Sequence, residues 1–331
     1  MAFTAEDWPI TAALLQYPST KRDGTSMQDA DAGEWAATFR EVAEAGFTKV
    51  DLTDSWVRPG DLSVSRLDEL KQAAQEAGVD APAISAIRCS VIDPQHGEAN
   101  LAYSHRTIEA AAHLGVEVVS FGLHQALTAE QKKQLWFWTI DGHKDPDGDV
   151  EAWGLAVKRL RELGAHASEL GILVSLELYE DTFLGTGESA LRLVQEIGLH
   201  NVGINPDVGN LVRLHRPIED WSEILHGVLP YTNYWHVKNY LRDEDVARDQ
   251  FVTVPSPLET GVINYRKAVR DAISVGFQGI ICTEHYGGDG LTVSATNQTY
   301  LRNHVLPKHP GYARGKSLVA QSPRDLTNVT G

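Results

Sequence analysis

The sequence predicts an α/β protein, a (β/α)8 TIM barrel built as one domain, and three observations carry that prediction. First, the stretch from Gly171 to Asn210 holds an apolar run, a segment with helical spacing and a second apolar run. This is the pattern of a parallel βαβ unit, whose strands are covered on both faces. Second, A-G-F-T-K-V, A-G-V-D-A-P, L-G-V-E-V-V, L-G-I-L-V-S and V-G-F-Q-G-I recur along the chain. Each reads as a helix end, a glycine in a left-handed cap and the start of a strand. Third, strand and helix patterns alternate eight times, which fits a barrel better than a sandwich or a bundle.

Taken in order, residues 10–17 form an apolar strand closed by Pro18 and the polar run S-T-K-R-D-G-T-S. The helix over 31–45 puts Trp35, Phe39 and Val42 on one face and stops at Gly46, and residues 47–52 form the next strand. Helix 65–77, Gly78 and strand 83–88 repeat the unit, as do helix 101–114, Gly115 and strand 116–121. Helix 150–170 leads into the strand over 172–178, the helix over 188–197 and the strand over 202–205. Helix 218–229, strand 232–237, helix 265–275, Gly276, strand 279–282 and helix 293–305 complete the set. Trp35, Trp153 and Trp221 fall inside helices and read as packing residues.

Three segments exceed the minimal unit. Residues 123–149 follow strand four, residues 239–261 follow strand seven, and a tail rich in Pro, Gly and Ser covers 307–331. The expected division is therefore a barrel over 1–306 and a C-terminal extension over 307–331. The two long loops leave the carboxyl ends of strands, where barrel enzymes place their active sites.

Composition narrows the function. The 331 residues carry a formal net charge of −16 at pH 7, which works against a phosphate-binding surface and excludes nucleic acid as a partner. The N-terminus M-A-F-T-A-E-D-W-P-I-T has neither a basic nor an apolar leader region, and no apolar run is long enough to span a bilayer. The expectation is a cytoplasmic protein whose two cysteines, Cys89 and Cys282, are buried thiols. No Walker or dinucleotide fingerprint is present, so no nucleotide cofactor is implied.

Chemistry concentrates at four strand ends: Glu177, Asp207, His236 and Glu284, on strands five to eight. One βα repeat per step brings all four to one rim. Three carboxylates and an imidazole suit a divalent ion such as Mn²⁺, with Mg²⁺, Co²⁺ or Zn²⁺ as alternatives. A cation on a carbonyl oxygen stabilises the enediolate formed when the neighbouring C–H is removed by a base. Lys238 shares the inward face of His236, either to polarise a substrate oxygen or to pair with Glu180 or Glu284. Glu180 follows the metal-ligand candidate closely enough to orient it, and His124 closes strand four within reach of a sugar. His143 lies in the turn-rich D-G-H-K-D-P-D-G and is the candidate base, facing either the pocket mouth or solvent.

The segments S-L-E-L-Y-E, I-N-P-D-V-G-N, W-H-V-K-N and T-E-H-Y-G-G resemble the metal-binding strand ends of the xylose isomerase-like (sugar isomerase/epimerase) TIM-barrel superfamily. The resemblance covers about Thr11 to Val305 and implies metal ligation by Glu177, Asp207, His236 and Glu284, with proton transfer beside a carbonyl. Two departures stand out: Asn210 replaces the histidine often found three residues after the strand-six Asp, and Asn239 replaces the Asp often found after Lys238. The loop with Trp136, Trp138 and His143, together with E-L-Y-E-D-T-F-L-G-T and D-V-G-N-L-V-R, is similar to the α subunits of bacterial C-glycoside deglycosidases. That narrower resemblance implies cleavage of the carbon–carbon bond between a 3-oxo-glucosyl unit and an aromatic aglycone by β-elimination. It also implies a small β-rich partner subunit and a higher oligomer. Catalytic roles are then expected for His143, Glu177, Glu284 and Lys238, and substrate contacts for His124, Trp136, Trp138, Glu180 and Asn210. The alternatives are an isomerase or epimerase of a free keto sugar or inositol derivative, and a non-catalytic sugar-binding or assembly subunit. A related apurinic endonuclease is set aside, because strand three ends S-A-I-R-C without a histidine and the charge has the wrong sign.

Overall fold

The computed structural model describes residues 2–326. Its strands, in chain order, are β1 (Ile10–Ala13), β2 (Lys49–Thr53), β3 (Asp80–Ala86), β4 (Val118–Phe121), β5 (Leu173–Glu177), β6 (Val202–Asn205), β7 (Tyr234–Val237), β8 (Asn239–Asp245), β9 (Gln250–Ser256) and β10 (Ile280–Thr283). Eight of them form one parallel sheet in the order β6-β5-β4-β3-β2-β1-β10-β7. The sheet curls into a barrel that closes through a single parallel bridge between Ile204 and Thr232. Asparagine side chains finish the seam: Asn205 Oδ1 accepts from the His236 N–H at 2.7 Å, and Asn233 Nδ2 donates to the Val174 carbonyl at 3.0 Å. A Cβ at Gly203 would lie 2.5 Å from Asn233, so glycine there admits the seam asparagine.

The helices are α1 (Ala32–Glu44), α2 (Val64–Glu76), α3 (Gly97–Leu114), α4 (Val150–Glu169), α5 (Gly187–Ile197), α6 (Gly209–Val212), α7 (Trp221–Val228), α8 (Tyr265–Ser274), α9 (Gly290–Tyr300) and α10 (Pro323–Leu326). The repeated glycine device takes the expected form, with positive φ at Gly46, Gly78, Gly115, Gly171 and Gly276. Trp35 is fully buried, whereas Trp153 and Trp221 are half-buried, and the Trp153 indole N–H reaches Glu196 at 2.7 Å. No helix among the described residues is long and apolar enough to cross a membrane.

Five expectations from the sequence are corrected. The first strand ends at Ala13, because the chain turns in a single 3-10 turn and the Tyr17 N–H returns to the Leu14 carbonyl at 3.0 Å. Helix α3 starts at Gly97, four residues early, and α9 starts at Gly290 behind an Asp289 cap and ends in a π-turn over Leu301–Val305. Helix α7 starts late, at Trp221, because Asp220 accepts the Ser222 and Glu223 N–H groups. The segment 239–261 is no plain loop: β8 and β9 pair antiparallel as a hairpin, with Tyr240 and Phe251 turned inward and Leu241, Val252 and Val254 exposed.

The described part of the tail, up to Leu326, contributes to the barrel floor. Ala320 packs with Ala83, Val118, Leu173 and Tyr234 inside the barrel. The Leu318 and Ala320 N–H groups donate to Pro230 and His200 carbonyls at the N-terminal ends of the strands, both at 2.9 Å. Gln321 ties Thr232 to Gln278, at 2.8 Å each. A chain ended at Leu306 is therefore expected to unfold at lower guanidinium, by on the order of 3 kcal/mol, the scale of one buried aliphatic side chain plus lost hydrogen bonds. An unchanged midpoint would show that the tail only decorates the surface.

Both cysteines are buried and unpaired. Burial and the neighbouring Asp54 push the Cys89 thiol up to about 12, and burial also raises Cys282. Thiolate is the reactive form. Neither cysteine should react with Ellman's reagent in the native protein at pH 8, and both should react after denaturation; rapid native labelling of either would contradict this packing.

Candidate metal centre

Glu177 ends β5, Asp207 follows β6 by two residues, His236 lies in β7 and Glu284 follows β10 directly. Parallel strands of a barrel point their carboxyl ends at one rim, so four residues distant in sequence meet there. All four are buried, and one potential ligand atom from each lies within 4.8 Å of the others. The expected ligand set thus converges.

Neighbouring groups hold these side chains in place. Asn210 Nδ2 donates to Glu177 Oε1 at 2.9 Å, to the Leu178 carbonyl at 2.9 Å and to Asp207 Oδ2 at 3.3 Å. The asparagine in the expected histidine position orients two carboxylates. Lys238 Nζ sits 2.7 Å from Asp207 Oδ2 and 2.9 Å from Glu284 Oε1. A Cβ at Gly209 would fall 2.5 Å from Lys238 Cγ, so the glycine of P-D-V-G-N leaves room for that side chain.

A divalent cation fits this donor set. Asp207 Oδ1 and His236 Nδ1 are buried without a hydrogen-bond partner, and His236 Nδ1 is 3.2 Å from Glu284 Oε2. Three carboxylates face one ammonium, so a doubly charged ion would balance the charge of a buried site. Their environments differ. Burial pushes the Glu177 carboxyl up, whereas at Glu284 the charges of Lys238 and His236 outweigh burial and hold it well below the usual range.

A family model described as the xylose isomerase-like TIM barrel matches residues 39–304. The chain belongs to this family. A xylose isomerase-like TIM barrel protein from Mycobacterium smegmatis, solved in complex with magnesium, is 45% identical over 91% of this chain and 97% of that one, with a TM-score of 0.86. Two other structures share the fold at low identity. The 3-keto-D-glucoside 4-epimerase of E. coli is 16% identical over 89% of this chain and 99% of its own, with a TM-score of 0.61. D-psicose 3-epimerase of Clostridium cellulolyticum, solved with D-tagatose, is 15% identical over 90% and 99%, with a TM-score of 0.62. No curated protein sequence matches the chain.

In this xylose isomerase-like barrel Glu177, His236 and Glu284 line an inner pocket, beside a larger outer cavity that opens to solvent. Arg88, His124 and Tyr179 line both, and the His124 ring stacks on Tyr179 with centroids 4.2 Å apart. Burial, with the positive charges of Arg88, Arg213 and Lys238, holds the His124 imidazole well below its ordinary value. His143 is exposed on the outer cavity's rim and does not reach the inner pocket. Trp138 lines the outer cavity and donates to Thr253 of the hairpin at 3.3 Å. Trp136 lines neither cavity; it stacks on Trp138 at 5.0 Å.

Glu180 pairs with Arg213, whose Nη2 lies 3.0 Å from both carboxylate oxygens. Of the two partners that the sequence offers Lys238, Glu284 is the one it meets, and Arg213 occupies Glu180. Arg213 is fully buried, with Phe137, Trp138, Tyr179 and Tyr286 rings at 4.9 to 5.7 Å from its guanidinium carbon. Sequence reasoning missed Arg213, Arg88, Asp51 and Tyr234. A signal existed for two of them: Asp51 is an acid inside a buried strand, and Tyr234 stands two residues before His236, on the same face.

Proposed function

We propose that the chain is a divalent-metal-dependent enzyme that enolises a keto sugar, and that it is a C-glycoside deglycosidase acting on a 3-oxo-glucosyl C-glycoside. The observation that carries this reading is the two-compartment site: an inner pocket lined by Glu177, His236 and Glu284, joined past His124 and Tyr179 to a larger outer cavity. A glycoside needs a second space for its aglycone, which the outer cavity offers.

A bound divalent ion, with Mn²⁺ the best match to three carboxylates and one imidazole, supplies a Lewis acid for the 3-oxo group. His124, at the junction of the two cavities, removes the proton from C2 of the sugar. The C–H electron pair becomes the C1–C2 double bond as the C1–aglycone bond breaks, and the aglycone carbon takes a proton in turn. Glu177 and Glu284 hold the centre, and Lys238 fixes the free carboxylate oxygens toward it. His143 and Trp138, on the outer cavity, face the aglycone, and Asn210 Oδ1, buried without a partner, is a spare acceptor for a sugar hydroxyl.

The test incubates the protein with Mn²⁺ and a 3-oxo-glucosyl C-glycoside, with and without any co-purifying small β-rich subunit, and follows free aglycone by chromatography. Release that disappears on chelation and in Glu177→Gln supports the reading. In that assay His124→Ala should lower the rate by about 10²–10⁴-fold, the range for a lost general base, and His143→Ala by less. Metal-dependent interconversion of free keto sugars with no aglycone release would instead make the protein an isomerase or epimerase.

A further inference from the structure

Beneath the metal centre, inside the barrel, Asp51, His236 and Cys282 form a second group of potential ligands. Its geometry is that of a hydrogen-bond network. Asp51, on β2 and fully buried, accepts from Ser85 Oγ at 2.7 Å, from the Tyr234 hydroxyl at 2.6 Å and from Thr53 Oγ1 at 3.0 Å. The same Ser85 and Tyr234 oxygens lie 3.1 and 3.2 Å from His236 Nε2, while Asp51 Oδ2 itself is 3.9 Å from that nitrogen.

A hydroxyl has one proton. Ser85 and Tyr234 both give theirs to Asp51, so each oxygen has only lone pairs left for His236, and Nε2 must carry the ring proton. In the neutral ring the lone pair is then on Nδ1, the atom that faces Glu284 and Glu177 at 3.2 and 3.8 Å. We propose that Asp51, acting through the Ser85 and Tyr234 hydroxyls, is a positioning residue that fixes the tautomer and ring orientation of His236 so that Nδ1 is presented to the metal. The inference rests on the metal centre and not on the choice of substrate. Asn205 adds a second restraint from the backbone side through the His236 N–H.

The network joins β2, β3 and β7 across the barrel interior. Carboxylate partners of this kind orient metal-binding histidines, and their loss costs about 10–100-fold in metal affinity.

The test uses the full chain and Zn²⁺ alone as the probe, with affinity read by calorimetry and the histidine tautomer read by ¹⁵N NMR of the zinc-loaded protein. The wild type should show His236 protonated at Nε2. Ser85→Ala/Tyr234→Phe, which removes both bridging hydroxyls, should bind Zn²⁺ about 10–100-fold more weakly and lose the protected Nε2–H signal. Ser85→Thr, which keeps a hydroxyl, should retain both. If the double variant does not fold, Asp51→Ala provides the same comparison, because it removes the acceptor of both hydroxyl protons and leaves them free to turn to Nε2. Wild-type zinc affinity in either folded variant, or a wild-type His236 protonated at Nδ1, overturns the proposal, and the wild-type spectrum alone can do so. Neither readout depends on turnover, so failure here leaves the deglycosidase reading untouched.

Discussion

Asp207→Asn is expected to abolish tight binding of a divalent ion and, with it, metal-dependent enolisation. Asp207 is the most enclosed of the three carboxylates, with no exposed surface, and one oxygen is committed to Lys238 while Oδ1 has no partner. The substitution preserves shape and removes the charge, so Lys238 is left with Glu284 as its only close carboxylate partner. Loss of an orienting neighbour costs a metal site about 10–100-fold, and loss of a ligand should exceed 100-fold. A Lewis acid on the carbonyl contributes several kcal/mol to an enolisation. At 1.36 kcal/mol per tenfold, exchange of the substrate's α-hydrogen with solvent should slow by about 10³-fold or more. Calorimetry with Mn²⁺ and proton exchange followed by NMR read the two effects separately, with thermal unfolding as a control for the fold. Wild-type affinity in the folded variant would mean that other residues hold the ion.

The second large effect concerns the roof of the site. Arg213→Met keeps the side-chain bulk but leaves Glu180 buried without its counter-charge, a change that costs about 3–5 kcal/mol when one partner of a buried pair is removed. The four aromatic rings around the guanidinium also lose a cation they are placed to stabilise. Arg213→Lys should not restore stability, because an ammonium lacks the planar group that packs among those rings while reaching both Glu180 oxygens. Arg213→Met/Glu180→Gln should recover a large part of the loss, since no buried charge is then stranded. The guanidinium denaturation midpoints of the three variants decide the matter. A loss below about 1 kcal/mol for Arg213→Met would place the pair among weak, solvent-screened ion pairs. Because Tyr179 packs on this arginine and lines both cavities, the same variants should also weaken turnover.

Much of the site was legible before any coordinates. Glu177, Asp207, His236 and Glu284 stand one βα unit apart at the ends of apolar strands, and a barrel has only one rim where such ends can meet. The partnerships were less legible. Lys238 had Glu180 or Glu284 within reach along the sequence; in space it bridges Glu284 and Asp207, because Arg213 takes Glu180. The hairpin after β7 was hidden because its inward residues, Tyr240 and Phe251, are separated by charged stretches. The tail reads as a C-terminal extension, and its place of contact is hidden in the sequence, since burial of Ala320 depends on a barrel floor assembled from four distant strands.

The barrel, its eight units and the four converging candidate ligands are all legible in the sequence. These follow from local rules: alternation of side chains along a strand, helical spacing, and glycine where a positive φ is needed. Only the tertiary structure decided which polar groups satisfy one another. Tyr234 reaches Asp51 across 183 residues of chain, and Ser85 reaches His236 across 151. A hydrogen bond is set by a distance of about 3 Å, and separation along the chain carries no information about that distance once the barrel has closed.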